Sequence, residues 1–157
     1  METTSASAAT INLGAIEIRF LVEAEDSHGA ATVFECRVPS DAKVPVPHSH
    51  NAFEETVYGL GGVTTFTIDG DTHDLGPGEA MCIRRGQVHH FANQGTATAS
   101  FLSVATPGVF GPAYFQEIRD VLTATTGGPP DLAALIEVMR RHGLTPAQPD
   151  TATSTAP

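Results

Sequence analysis

Apolar and polar residues alternate with a period of two along most of the first two thirds of the chain. Between Ile16 and Ala105, short runs rich in Val, Ile, Thr and Phe are separated by Gly, Pro, Asp and Asn. This is the pattern of half-buried β-strands joined by tight turns. It predicts strands over Ile16–Val22, Ala31–Val38, Glu55–Leu60, Val63–Ile68, Thr72–Leu75, Ala80–Ile83, Val88–Ala92 and Thr98–Ala105. Ile68-Asp69-Gly70-Asp71 suits a hairpin turn, and Gly76-Pro77-Gly78 marks another. No helical period separates these runs, which argues against a parallel sheet. Many short, evenly spaced strands predict an all-β barrel or sandwich.

The period changes after Pro107. Tyr114–Leu122 reads as a short helix with Pro112 near its start. A second helix is expected over Asp131–His142, where Leu132, Leu135, Ile136 and Met139 recur at i, i+3, i+4 and i+7. Asp131 can cap its start, Arg140 and Arg141 suit its C-terminal end, and Gly143 can stop it. Both helices are expected to pack on the β body. The expected organisation is a disordered segment over residues 1–10, a β domain over 11–106, helices over 107–144 and a disordered tail over 145–157.

Composition narrows the function. The chain has 157 residues, with 18 acidic against 8 basic and a formal net charge of −10. Lys43 is its one lysine. Nucleic acid and anionic membrane surfaces both need clustered positive charge, so neither is expected as a partner. The start of the sequence, METTSASAAT, has neither a basic residue nor an apolar core, so it does not read as a secretory signal. A cytoplasmic location is the expectation. Cys36 and Cys82 are flanked by strand-like residues and read as two reduced, mostly buried thiols.

Seven histidines stand out against so few charges, because imidazole is the commonest metal ligand. His48 and His50 lie two apart, so on an extended strand they share a face and can bind one metal ion. Glu55 follows across four intervening residues. It shares its strand face with apolar Val57, which turns it inward and Glu54 outward. His89 and Phe91 share one face of a later strand, and His90 takes the other.

The two segments resemble the two motifs of the cupin superfamily. The first motif has the form HxHx(3,4)Ex(6)G and is met by His48, His50, Glu55 and Gly62. The second has the form Gx(5)PxGx(2)Hx(3)N. It is met by Gly78, Gly86, His89 and Asn93, with Arg84 in place of the proline. Ala42 stands where the first motif usually opens on glycine. The resemblance covers the β region and implies a double-stranded β-helix, or jelly-roll, barrel with the helices as an extension. It implies His48, His50, Glu55 and His89 as metal ligands, and a homodimer.

That ligand set has no sulfur, so Fe, Mn, Ni, Co, Cu and Zn as divalent ions are the expected cofactors. Four protein ligands on an octahedral ion leave two open positions for oxygen or a substrate. The resemblance to quercetinase-like enzymes implies a dioxygenase-type oxidoreductase acting on a small aromatic or enolic substrate, with Glu55 also catalytic. The alternatives are a metal-dependent isomerase or lyase, and a non-catalytic binding protein. The other candidates read as structural: Glu54 as a surface carboxylate, His90 as outward-facing, His28 and His142 as a loop and a helix-end residue. His73 can face either way. Tyr58 reads as core or interface, and Arg84 and Arg85 as solvated turn residues. Phe53, Phe66, Phe91, Phe101 and Met81 are expected to fill the barrel.

Overall fold

Alternation along each strand puts one row of side chains inward, and the fold follows from stacking two such rows. A computed structural model describes residues 9–44 and 46–147. Eleven strands are present among them. They are β1 (Thr10–Leu13), β2 (Ile16–Val22), β3 (Thr32–Val38), β4 (His48–His50), β5 (Glu54–Gly61), β6 (Thr64–Ile68), β7 (Asp71–Leu75), β8 (Ala80–Ile83), β9 (His89–Ala92), β10 (Ala99–Thr106) and β11 (Leu144–Pro146). One sheet runs β1-β2-β3-β10-β5-β8 and the other β11-β4-β9-β6-β7. All pairings between strands are antiparallel. The architecture is a jelly-roll. Among the described residues the two sheets are not joined into one closed hydrogen-bonded barrel.

The inner rows meet as aromatic rings. Phe101 on β10 packs against Phe66 on β6 and Phe91 on β9, with centroids 5.2 and 5.1 Å apart. These contacts bring the two sheets face to face around an apolar core. The last glycine of the first motif is needed here. Gly62 has φ +58°, and a Cβ there would come within 2.7 Å of the Thr98 carbonyl oxygen.

Two helices follow the barrel, α1 (Pro112–Ala124) and α2 (Leu132–Arg141). Pro112 stands in the first turn of α1. Asp131 caps α2, accepting a hydrogen bond from the Ala134 N–H at 3.1 Å. Leu135, Val138 and Met139 are its buried residues. Leu132, expected on that face, is exposed, and Val138, outside the expected set, is buried. Phe115 of α1 reaches the inner row of the larger sheet, with its ring 5.2 Å from Phe34.

The structure corrects both ends of the expected organisation. Thr10 belongs to β1, so strand structure begins before residue 11. Thr145 and Pro146, read as tail, form β11 and pair with Ser49 and His48 of β4. The expected disorder of residues 1–8 and 148–157 lies outside the described residues. Cys82, expected to be mostly buried, is exposed. Among the described residues no helix is long and apolar enough to cross a membrane.

Candidate metal centre

β4 is only three residues long, and it delivers two imidazoles. Ser49 faces away between them, so His48 and His50 share one side of the strand. Directly across the ladder, His89 of β9 is the register partner of His48. The three ring centroids lie 4.6 to 5.2 Å apart. Each ring offers a nitrogen within 4.8 Å of the other two. His50 and His89 are buried, and His48 is half-buried.

Backbone carbonyls set the tautomers of two rings. His48 Nδ1 lies 3.0 Å from the Val46 carbonyl oxygen, and His89 Nδ1 lies 3.0 Å from that of Gln87. Each Nδ1–H therefore donates to a carbonyl, which leaves the Nε2 lone pair for a metal. His50 is held by packing, with its ring stacked 4.2 Å from Phe53. Its Nδ1 is buried without a hydrogen-bond partner.

Glu55 enters from the opposite sheet. Its Oε2 lies 3.5 Å from His50 Nε2 and 3.7 Å from His89 Nε2. Its Oε1 accepts a hydrogen bond from the Ser103 hydroxyl at 2.6 Å. Ser103 is fully buried on β10. The sequence reading missed it, and its signal is a lone hydroxyl in the inward row Ala99, Phe101, Ser103, Ala105.

The electrostatics suit a cation. Burial, then the neighbouring imidazoles, push His48 down to about 3. Burial pushes His50 down to about 4, against the pull of Glu55. Both rings are neutral at physiological pH, as a metal requires. Burial also lowers His89, but the Glu55 carboxylate outweighs it and the net shift is upward. Burial would raise Glu55, yet His89, His50 and Ser103 bring it down to about 2. The site thus holds a standing anion beside three nitrogen donors, one with an orphaned ring nitrogen. These residues fit a divalent transition metal.

Comparison with known families decides the affiliation. Residues 34–105 match the family model described as a Cupin domain. Those residues are a cupin domain. Among curated proteins no relative matches the chain in sequence. Among solved structures it is similar to a predicted oxalate decarboxylase from Thermotoga maritima, at TM-score 0.59 and 22% identity, over 68% of this chain and 96% of that one. It is also similar to the polyketide cyclase RemF from Streptomyces resistomycificus, at TM-score 0.58 and 24% identity, over 78% and 96%. A third is KdgF from Halomonas sp., at TM-score 0.56 and 14% identity, over 63% and 87%. These likenesses concern the fold.

The two motif segments also do structural work in this domain. Asn93 donates to the carbonyls of Val38 and Ala97 at 2.9 and 2.7 Å, tying the end of β9 to β3. The turn that lacks its proline closes by other means. The Arg84 N–H donates to Gln87 Oε1 at 2.9 Å, and Gly86 takes φ +84°. Arg85 pairs with Glu54 at 2.6 Å on the outer side, so neither of these two faces the histidines. His73 is exposed, and so is Tyr58. His90, read as outward-facing, is half-buried and is among the residues lining the cavity described next.

That cavity opens from the histidines into the space between the sheets and the helices. Its volume is about 90 Å³, where a single water needs roughly 10–15 Å³. Its walls are aliphatic and aromatic apart from the histidines, Glu55, Cys36 and Tyr114. Burial, then Glu55 and Glu35, push the Cys36 thiol well up, so it is an inert part of the wall.

Ser103→Ala isolates the support for Glu55. It leaves Oε1 without its donor, and metal affinity is expected to fall by about tenfold, the low end for losing a ligand's hydrogen-bond partner. Competition with a chromophoric chelator measures this, and an unchanged affinity would remove Glu55 from the ligand set.

Proposed function

We propose that this protein is a metal-dependent enzyme acting on a small, apolar, aromatic or enolic substrate, with dioxygen as the second reactant. One observation carries the reading. The three imidazoles and Glu55 stand at the wall of a cavity that is otherwise almost wholly hydrocarbon. Such a cavity takes up a flat apolar molecule and leaves one polar end at which to hold its oxygen.

His48, His50, His89 and Glu55 are the residues that would hold the metal. When bound, a divalent ion supplies Lewis acidity and open positions for oxygen ligands. The chain's own residues do the rest. The carbonyls of Val46 and Gln87 fix two rings, and Ser103 fixes the carboxylate. The hydrocarbon walls exclude water and admit dioxygen, which protects reactive intermediates from hydrolysis. Against the effect of burial, His89, His50 and Ser103 hold the Glu55 carboxyl below the usual carboxylate range, so it is a weak base; this favours a ligand role over that of proton acceptor.

The test is oxygen uptake. Metal-stripped protein is reloaded in turn with Fe(II), Mn(II), Ni(II), Co(II), Cu(II) and Zn(II). Each form is then offered flavonols, catechols and 1,3-diketones in an oxygen electrode. At least one pairing is expected to consume oxygen, and His50→Ala to abolish it. Turnover that persists anaerobically would assign Lewis-acid isomerase or lyase chemistry instead. No turnover with any pairing would make the protein a binding module.

A further inference from the structure

The helical extension lies outside the family match of residues 34–105, yet it builds one wall of the cavity. Phe110, Tyr114, Phe115, Ile118, Leu135 and Met139 all line it. Five of these are hydrocarbon or thioether. Tyr114 is different. It is only 6% exposed, and its ring packs 4.8 Å from Phe110 and 5.1 Å from Phe115. Among the described residues its hydroxyl has no hydrogen-bond partner. That oxygen is not among the fully buried polar atoms that lack a partner, so it keeps accessible surface with which to meet a ligand.

The position of this hydroxyl is informative. Phe110 bridges the two ends of the wall: its centroid is 6.2 Å from His50 on one side and 4.8 Å from Tyr114 on the other. Tyr114 therefore stands one ring further from the histidines than Phe110 does. Burial and the charge of Glu55 raise its pKa well above the usual phenol range. It is a neutral donor at any working pH.

We propose that Tyr114 is a ligand-binding residue whose hydroxyl donates a hydrogen bond to a second oxygen of the cavity's ligand, away from the oxygen that faces the histidines. The ligand class is thus a flat, apolar, ring-bearing molecule with two oxygen functions a ring apart. The inference rests on the proposed function only in placing such a ligand in the cavity; it needs no turnover.

Two fluorescent probes of one shape test it on the Zn(II)-loaded protein. 6-Acetyl-2-naphthol carries a phenolic oxygen at one end and a ketone acceptor at the other. 6-Ethyl-2-naphthol keeps the ring and the phenol and lacks the acceptor. Tyr114→Phe is expected to weaken binding of the ketone by about five- to tenfold, the scale of one hydrogen bond, and to leave the ethyl probe within about twofold. Equal weakening of both probes would make Tyr114 a packing residue and overturn the proposal. So would no change in either, or no binding of either to the wild-type protein below about 1 mM. Failure of the oxygen assay leaves the difference between the two probes standing, so the two readings fail separately.

Discussion

With His89 replaced by alanine, metal affinity is expected to fall by at least about 100-fold while both sheets stay folded. The magnitude follows from sharing the binding energy. A four-ligand structural zinc site releases about 10–16 kcal/mol, so one ligand is worth about 3 kcal/mol, or about 100-fold. His89 is well placed to show the full effect. It is buried, lies directly across the ladder from His48, and has its tautomer set by the Gln87 carbonyl. The fold should survive because its core is elsewhere, in Phe66, Phe91 and Phe101 and the aliphatic rows around them. Chelator competition gives the affinity, and far-ultraviolet circular dichroism reports the sheets. His73→Ala is the matched control: an exposed histidine on β7, it should change neither. Unaltered metal binding by His89→Ala would take the site apart, since the other two imidazoles then have no third partner.

Much of this geometry was legible in the sequence, for a physical reason. A strand's side chains alternate with period two, so the gap in His48-Ser49-His50 already fixes two rings on one face. The motif spacings then named Glu55 and His89, and the structure brings all four together from two sheets. The long strands were equally plain, because each has one buried row that must read as apolar. The parts that were missed lack such a row. β11 is only three residues long, too short for alternation to register, and β1 adjoins the small polar residues that read as a disordered segment. Leu144-Thr145-Pro146 also carries a proline, which usually argues against a strand. It is tolerated here because β11 is an edge strand. Ser103 and Tyr114 were hidden differently. Each is a single polar atom in an apolar row, and only the packed structure shows what lies opposite.

The strand that the sequence hid carries the second large effect. Among the described residues β11 alone flanks β4 on the side away from β9, pairing Leu144 with His50, Thr145 with Ser49 and Pro146 with His48. The corner beyond β4 is fastened to the same segment: the Asn51 N–H donates to the Gly143 carbonyl at 2.9 Å, and the Thr145 hydroxyl donates to Asn51 Oδ1 at 2.7 Å. A chain ending at Gly143 would leave the two-histidine strand held from one side alone, by β9. It would also lose Leu144, which is 1% exposed. Deleting a buried leucine costs about 2–5 kcal/mol. At about 2–4 °C per kcal/mol for a domain of this size, Tm is expected to drop by roughly 5–15 °C. Metal affinity should fall with it by about 10- to 100-fold, as when the partners that orient a ligand are removed. Added metal should then raise the Tm of the truncated chain, because it binds the folded state. A chain ending at Ala147 keeps β11 and is expected to match the full-length protein in both measurements. If the shorter chain instead lost stability but bound metal as tightly as before, β11 would be a staple for the fold and His48 and His50 would be positioned by β9 and Phe53 alone.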